Sequence, residues 1–271
     1  MRPLAVIGNL AVDIVDGSAP RPGGGPFHAA RALRTLTRRG LVVTKCADGD
    51  RGLLLRPLRA LGLPVAWRPS SSSASFRIDY ANGDRAMVLE GLGDPWSAAE
   101  VRTWVGEALA GVHWLHVAPL ARSDFPAATI AELARGGRRL LLDGQGLVRH
   151  ARVGPLELDG DYDREVLAHV AVLKLAEDEA LALVGGADEE RLAALRVPEV
   201  VVTRGERGAL VWAEGLLTAV AARPARGRVD PTGAGDAFAA GYLAARAAGH
   251  APVASARRAS ALVAALLVGR A

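Results

Sequence analysis

The sequence predicts an α/β fold with a central, mostly parallel β-sheet, and two observations carry that prediction. Short β-type runs alternate along the chain with longer runs of helical period, the pattern of repeated strand–helix–strand units. Half of the 271 residues are hydrophobic, enough for a sizeable core, and the length fits one domain over residues 1–271.

The elements follow in order. LAVIGNL reads as a buried first strand, and PFHAARALRTLTRRG as a helix with Ala30, Leu33 and Leu36 at helical spacing. LVVTKCA is a strand, GLLLRPLRALG a helix and PVAWRP a strand. VHWLHVAPL and RRLLLDG are strands separated by the helical FPAATIAELARGG. VAVLKLA is a strand, and two short helices follow in EDEALALVGG and ERLAALR. PEVVVTRG, RGALVWA and GLLTAVAAR read as strands before two Ala-rich helices close the chain. One segment breaks the alternation. RPSSSSASFRIDYANGDRAMVLEG gives an alternating strand (Phe76, Ile78, Tyr80), the turn pair Asn82-Gly83, and a returning strand. It predicts a hairpin inserted at about residues 68–90, placed to act as a lid.

Composition excludes several classes. The net charge of +4 rests on scattered arginines, with Lys45 and Lys174 the only lysines, so neither a basic arm nor a nucleic-acid stripe exists. No run approaches the roughly 18 uncharged apolar residues of a membrane span. MRPLAVIGNLAVD reads as a strand rather than a signal peptide. The lone Cys46 permits no internal disulfide and sits in an apolar run, as a packed thiol in a cytoplasmic protein does. The six histidines show no metal-ligand spacing; His113 and His116, three apart, point to opposite faces of a strand. There is no GxxxxGK[ST], no GxSxG and no HExxH.

The informative stretch is PTGAGDAF, 231–238. Gly233 and Gly235 let the backbone approach an anion closely, and the helix that follows adds its positive N-terminal end. Asp236 stands in the same turn. It reads either as a helix-capping acid or as a base beside a phosphate, since phosphoryl transfer needs charge stabilisation, positioning and a proton acceptor.

DPTGAGDAFAAGYL resembles the C-terminal signature of the ribokinase-like carbohydrate kinases, the phosphofructokinase-B superfamily, and the resemblance extends over nearly the whole chain. GNLAVD is similar to the family's first strand, GGGPFHAARAL to its substrate-binding glycines and helix, KLAEDE to its nucleotide and magnesium motif, and TRGERG to its nucleotide loop. The resemblance implies a three-layer α/β/α sandwich with a small β lid. It implies Asp236 as general base, with Gly233, Ala234 and Gly235 forming an anion hole. Lys174, Glu179, Thr203, Gly205 and Gly208 would face ATP, Glu179 organising Mg²⁺ through water, while Asp13, Gly24, Gly25 and His28 would face the acceptor. Asp230 stands where some relatives bind a monovalent cation such as K⁺.

Three departures accompany it. Ala176 and His28 stand where the family often has Asn. The chain between Asp13 and Gly23 is short, which predicts a lid reduced to the hairpin and leaves monomer and homodimer both open. DGQGLVR (143–149) is similar to a short segment of inositol-kinase-like members. The implied activity is ATP-dependent phosphorylation of a hydroxyl on a small sugar or polyol. A nucleoside kinase of the same fold, with Phe27 or Trp67 as stacking wall, and a catalytically weak regulatory member are the alternatives.

Overall fold

The computed structural model describes residues 4–36, 40–81, 84–224 and 231–268. Its first strand, β1 (Leu4–Asn9), is buried on both faces: Leu4 and Val6 enter one apolar layer, Ala5 and Ile7 the other. Such a strand belongs in the middle of a sheet covered on both sides. The chain then crosses to a second sheet as β2 (Ala11–Val15) and β3 (Arg21–Gly23), enters α1 (Gly25–Leu36) and returns as β4 (Gly40–Ala47). Next come α2 (Arg51–Ala60), β5 (Val65–Ser70), β6 (Ala74–Ala81) and β7 (Asp84–Gly91). A kinked helical segment joins α3 (Ala98–Glu100) to α4 (Gly106–Ala108) through one π turn. β8 (Trp114–Val117), α5 (Ala127–Ala134), β9 (Arg139–Asp143), α6 (Gln145–Val148) and β10 (Gly154–Pro155) follow. β11 (Val170–Ala176), α7 (Glu177–Val184), α8 (Glu189–Ala194) and β12 (Glu199–Thr203) lead to the antiparallel pair β13 (Ala209–Ala213) and β14 (Leu216–Val220). The helices α9 (Ala234–Ala247) and α10 (Pro252–Val268) come last.

The large sheet runs β14-β13-β12-β11-β9-β8-β1-β4-β5, parallel from β12 to β5 and antiparallel at β13 and β14. Helices α1, α2, α9 and α10 cover one face, and α5, α7 and α8 with the α3–α4 segment cover the other. Strand order reverses at β1, whose neighbours are β4 on one side and β8 on the other. Chains leave such a sheet in opposite directions at that point and open a crevice beyond the carboxyl ends of the strands.

The small sheet, β10-β7-β6-β2-β3, has its own apolar core around Phe76, Ile78 and Leu89. The predicted hairpin is present as β6 and β7, while its Asn82-Gly83 turn lies outside the described residues. The second sheet is larger than that hairpin. β2 pairs parallel with β6, β3 pairs with β2, and β10 adds to β7, so the short chain after Asp13 still supplies two strands. A three-residue strand suffices for β3, which is why counting residues underestimated the sheet. The first strand also ends earlier than the continuous apolar run suggested. It stops at Asn9, the Leu10 amide donates to the Lys45 carbonyl at 3.1 Å, and Asp13 belongs to the small sheet. Sequence patterning passed over the α3 segment, although Ser97 and Glu100 form a reciprocal capping box there. Cys46 is buried and accepts a hydrogen bond from the Trp67 indole, as a packed thiol does. Among the described residues no helix is long and apolar enough to cross a membrane.

Candidate active site

The site forms where β1, β8, β9, β11 and β12 end and α9 begins. Gly233 precedes α9 with φ +75°, a left-handed conformation that glycine adopts freely, and an added Cβ would strike the His28 ring. The first bond of the helix runs from the Ala237 amide to the Gly233 carbonyl at 3.0 Å, so the amides of residues 234–236 precede it. The Ala234 amide is taken by the Pro231 carbonyl at 3.0 Å, which leaves those of Gly235 and Asp236 without an intrahelical partner.

Asp236 is buried in the first turn of α9, and its Oδ1 makes no hydrogen bond among the described residues. Burial, reinforced by the nearby Asp143 carboxylate, pushes its carboxyl above the usual range, while His28, His116 and Lys174 pull the other way. On one side it lines a cavity of about 1110 Å³. On the other, an added Cβ on Gly25 would lie 3.0 Å from its Oδ1.

The cavity gathers most of the residues singled out near the C-terminal half. Lys174, Glu179, Thr203, Gly205 and Gly208 line it together with residues 233–236. Glu179 spends one carboxylate oxygen on the Ala176 amide at 2.8 Å, and Thr203 donates to the Leu175 carbonyl at 3.1 Å. Burial raises the Glu179 carboxyl, with Asp143 adding to the effect and Lys174 opposing it. Part of the cavity wall is apolar, with Pro224, Val263, Ala264 and Leu267.

Asp13, Gly24, Gly25 and His28 do not line this cavity; they cluster behind Asp236. His28 Nε2 stands 3.9 Å from Asp13 Oδ2, both side chains are buried, and His28 Nδ1 is without a hydrogen bond. Gly24 packs against the backbone of Asn9, whose buried Oδ1 is also unpartnered. Asp230 lies outside the described residues. Among those described, no three acids, histidines or cysteines converge closely enough to cage a metal directly.

Sequence reasoning missed Asp143, His116, Arg149 and Tyr80. Asp143 is fully buried at the end of β9 and pairs with Lys174, 3.1 Å from Nζ to Oδ1. The strong ammonium field outweighs burial and holds the Asp143 carboxyl well below the usual range; the same carboxylate raises Lys174 against its own desolvation. His116 Nε2 stands 3.9 Å from Asp143 Oδ2. Arg149 lines the cavity, and the Tyr80 hydroxyl of β6 meets the Thr232 hydroxyl at 3.1 Å, tying the small sheet to the 231–236 turn. The available signal was a charge closing an apolar strand, RRLLLD, which marks the carboxyl end of a parallel strand as a binding edge.

Residues 155–271 match the family model of the pfkB family carbohydrate kinases. Over that segment the chain carries a pfkB family carbohydrate kinase domain. It is an enzyme of the phosphotransferase class that acts on alcohol groups. The pfkB match covers the nucleotide-motif segment, the 203–208 turn and all of α9 and α10. The chain is 29% identical over 266 residues to a fructokinase of Klebsiella pneumoniae, covering 90% of this chain and 84% of the relative. It is 35% identical over 120 residues to an inositol 3-kinase of Zea mays, covering 43% of this chain and 30% of that one. A solved pyrophosphate-dependent kinase of the ribokinase family, complexed with a pyrophosphate analogue and myo-inositol, superposes with a TM-score of 0.81 at 23% identity. That superposition covers 97% of this chain and 94% of the other, so the pfkB domain here has the ribokinase fold.

Proposed function

We propose that this enzyme transfers the γ-phosphoryl group of ATP to a hydroxyl of a small sugar or polyol, inositol-like polyols included. The observation that carries the reading is Asp236: a buried carboxylate with an oxygen unbonded among the described residues, standing between the cavity at the start of α9 and a second polar cluster. The acceptor hydroxyl gives its proton to Asp236 as its oxygen bonds to the γ-phosphorus. The bond from that phosphorus to the bridging oxygen breaks, and the electron pair leaves with ADP. The amides at the start of α9, with the helix dipole behind them, face the charge that develops on the phosphoryl oxygens.

Asp13, His28 and Asn9 supply donors and acceptors suited to adjacent hydroxyls, and the unpartnered Nδ1 of His28 fits a ligand hydroxyl. The apolar wall at Pro224, Val263 and Leu267 suits a purine ring. Glu179, with no caging partners among the described residues, suits Mg²⁺ held through water, which when bound would neutralise donor phosphate charge. The single buried cysteine supports a cytoplasmic setting.

One observation favours a second donor. Arg149, Arg204 and Arg223 line the same cavity as Lys174, a cationic set that also suits inorganic pyrophosphate, the donor named for the superposed kinase. A screen of sugars, inositols and nucleosides tests both readings, with ATP followed by ADP release and pyrophosphate followed by phosphate release. Turnover with ATP and a polyol is expected. Turnover with pyrophosphate alone would replace the donor, turnover with nucleosides alone would replace the acceptor, and silence throughout would overturn the activity.

A further inference from the structure

Lys174 is one of two lysines in the chain and stands in an apolar strand, VAVLKLA. Its side chain is 6% exposed, and its only bond among the described residues is to Asp143 Oδ1. An ammonium has three N–H donors. One is used among the described residues, and the same side chain lines the cavity. Strand register holds the pair: Lys174 on β11 is directly opposite Asp143 on β9. Gly235 supplies the other half of the geometry. A Cβ there would lie 2.9 Å from Lys174 Nζ, so the missing side chain lets the ammonium reach the amides that open α9.

The charge balance gives that placement a purpose. Asp143, Glu179 and Asp236 all act on Lys174, and three carboxylates around one cation would repel an incoming phosphate. Lys174 is the cation that offsets them beside the turn, with the arginines elsewhere on the cavity wall. A purely structural ion pair has no reason to leave two donors unused beside a cavity.

We propose that Lys174 contacts the phosphoryl group under transfer, at the Gly235 amide, and that Asp143 is the residue that positions it. The proposal rests on the kinase reading and assigns its cation. Lys174 is thus a catalytic residue rather than one that holds only the nucleotide. His116, 3.9 Å behind Asp143, closes the chain of buried groups across three neighbouring strands.

Kinetics and phosphate binding test it together. Lys174→Met is expected to lower kcat by about 10²–10³-fold with acceptor KM changed less than about threefold, the size seen when a transition-state charge donor is removed. Lys174→Arg should recover part of that loss. Asp143→Asn should lower kcat by about tenfold and bring a falling limb into the alkaline side of the pH–rate profile. Without Asp143 the ammonium keeps the desolvation that lowers its pKa and loses its strongest partner, leaving Glu179 on α7 and Asp236 on α9 to raise it. A merely structural Asp143 would not move that limb.

Inorganic phosphate provides a readout free of turnover. It should raise the Tm of the wild type and not that of Lys174→Met/Asp143→Asn, in which both charges leave together so that no lone buried ion remains. Equal phosphate stabilisation of both proteins, or a Lys174→Met kcat within threefold of wild type, would overturn the assignment. A wild type that phosphorylates an alcohol beside an equally active Lys174→Met sinks this inference and leaves the kinase reading standing. A wild type silent with every donor sinks that reading, and the phosphate titration still decides on the lysine.

Discussion

Two buried ionic clusters sit at opposite ends of the large sheet, and they are built on opposite principles. At the amino ends of the strands, Glu199 opens β12 and meets two groups from the late turns of α9. Tyr242 donates to its Oε2 at 2.8 Å, and Arg246 forks onto both oxygens at 3.1 and 2.6 Å. Arg246 also stacks over Trp114 with 5.7 Å to the ring centre. At the carboxyl ends, beside the first turn of the same helix, Asp236, His28 and His116 leave buried polar atoms without partners. Buried polar groups are satisfied almost everywhere in folded proteins, because an orphan costs about 1–3 kcal/mol. One helix therefore carries a satisfied cluster that holds it to the sheet and, at its other end, an unsatisfied one where the proposed reaction centre lies.

The sharpest way to break this comparison is to remove charge from each end. Asp236→Asn is expected to lower kcat by about 10³-fold or more, roughly 4 kcal/mol of transition-state stabilisation, while Tm stays level or rises. The sign follows from its raised carboxyl. Stability from that group is complete below its ordinary value of 3.8 and is lost as pH rises through the higher folded-state value, so at neutral pH the ionised form is a burden. Steady-state kinetics and a melting curve on one preparation check both halves. A destabilised but active Asp236→Asn would make the residue a cap.

Glu199→Ala should do the reverse. Leaving Arg246 and Tyr242 without their acceptor is expected to cost about 3 kcal/mol in denaturant unfolding. In the fraction that stays folded, kcat should remain within about threefold of wild type. Loss of activity with full stability would join the two clusters into one functional unit.

The pH dependence refines the contrast. If Asp236 acts as base, kcat/KM falls on the acid side, with a limb above the ordinary 3.8 because burial raises that carboxyl. Asp236→Asn should abolish the limb, and Glu199→Ala should leave it in place. A pH–rate series on the three proteins reads it directly.

The smallest expected effect concerns the tie between the sheets. Tyr80→Phe removes the hydroxyl that meets Thr232, a bond worth about 0.5–1.5 kcal/mol. Acceptor KM should rise two- to tenfold, and donor hydrolysis without acceptor should increase as water enters. Unchanged hydrolysis would make the contact ornamental to catalysis.

Much of this was legible in one dimension. The strand and helix sequence of the large sheet follows its hydrophobic period, because strands buried on both faces and helices buried on one leave distinct patterns. The start of α9 was legible because glycines followed by an acid have a local reason to stand at a helix N-terminus, with no partner needed from elsewhere. Residues 225–230, with Asp230, add nothing to that comparison, lying outside the described residues.

Pairing across distance came from the three-dimensional packing alone. Nothing in VAVLKLA says that its lysine faces the aspartate ending RRLLLD, because the β9–β11 register is set by packing through both helical layers. Likewise a three-residue β3 has no pattern of its own, and it exists because β2 offers it an edge. Local pattern along the chain set which strands are buried on both faces and which residue types meet at the start of α9. The fold determined which buried charges meet, since a charge's meaning inside a protein depends on its neighbours across the sheet rather than along the chain.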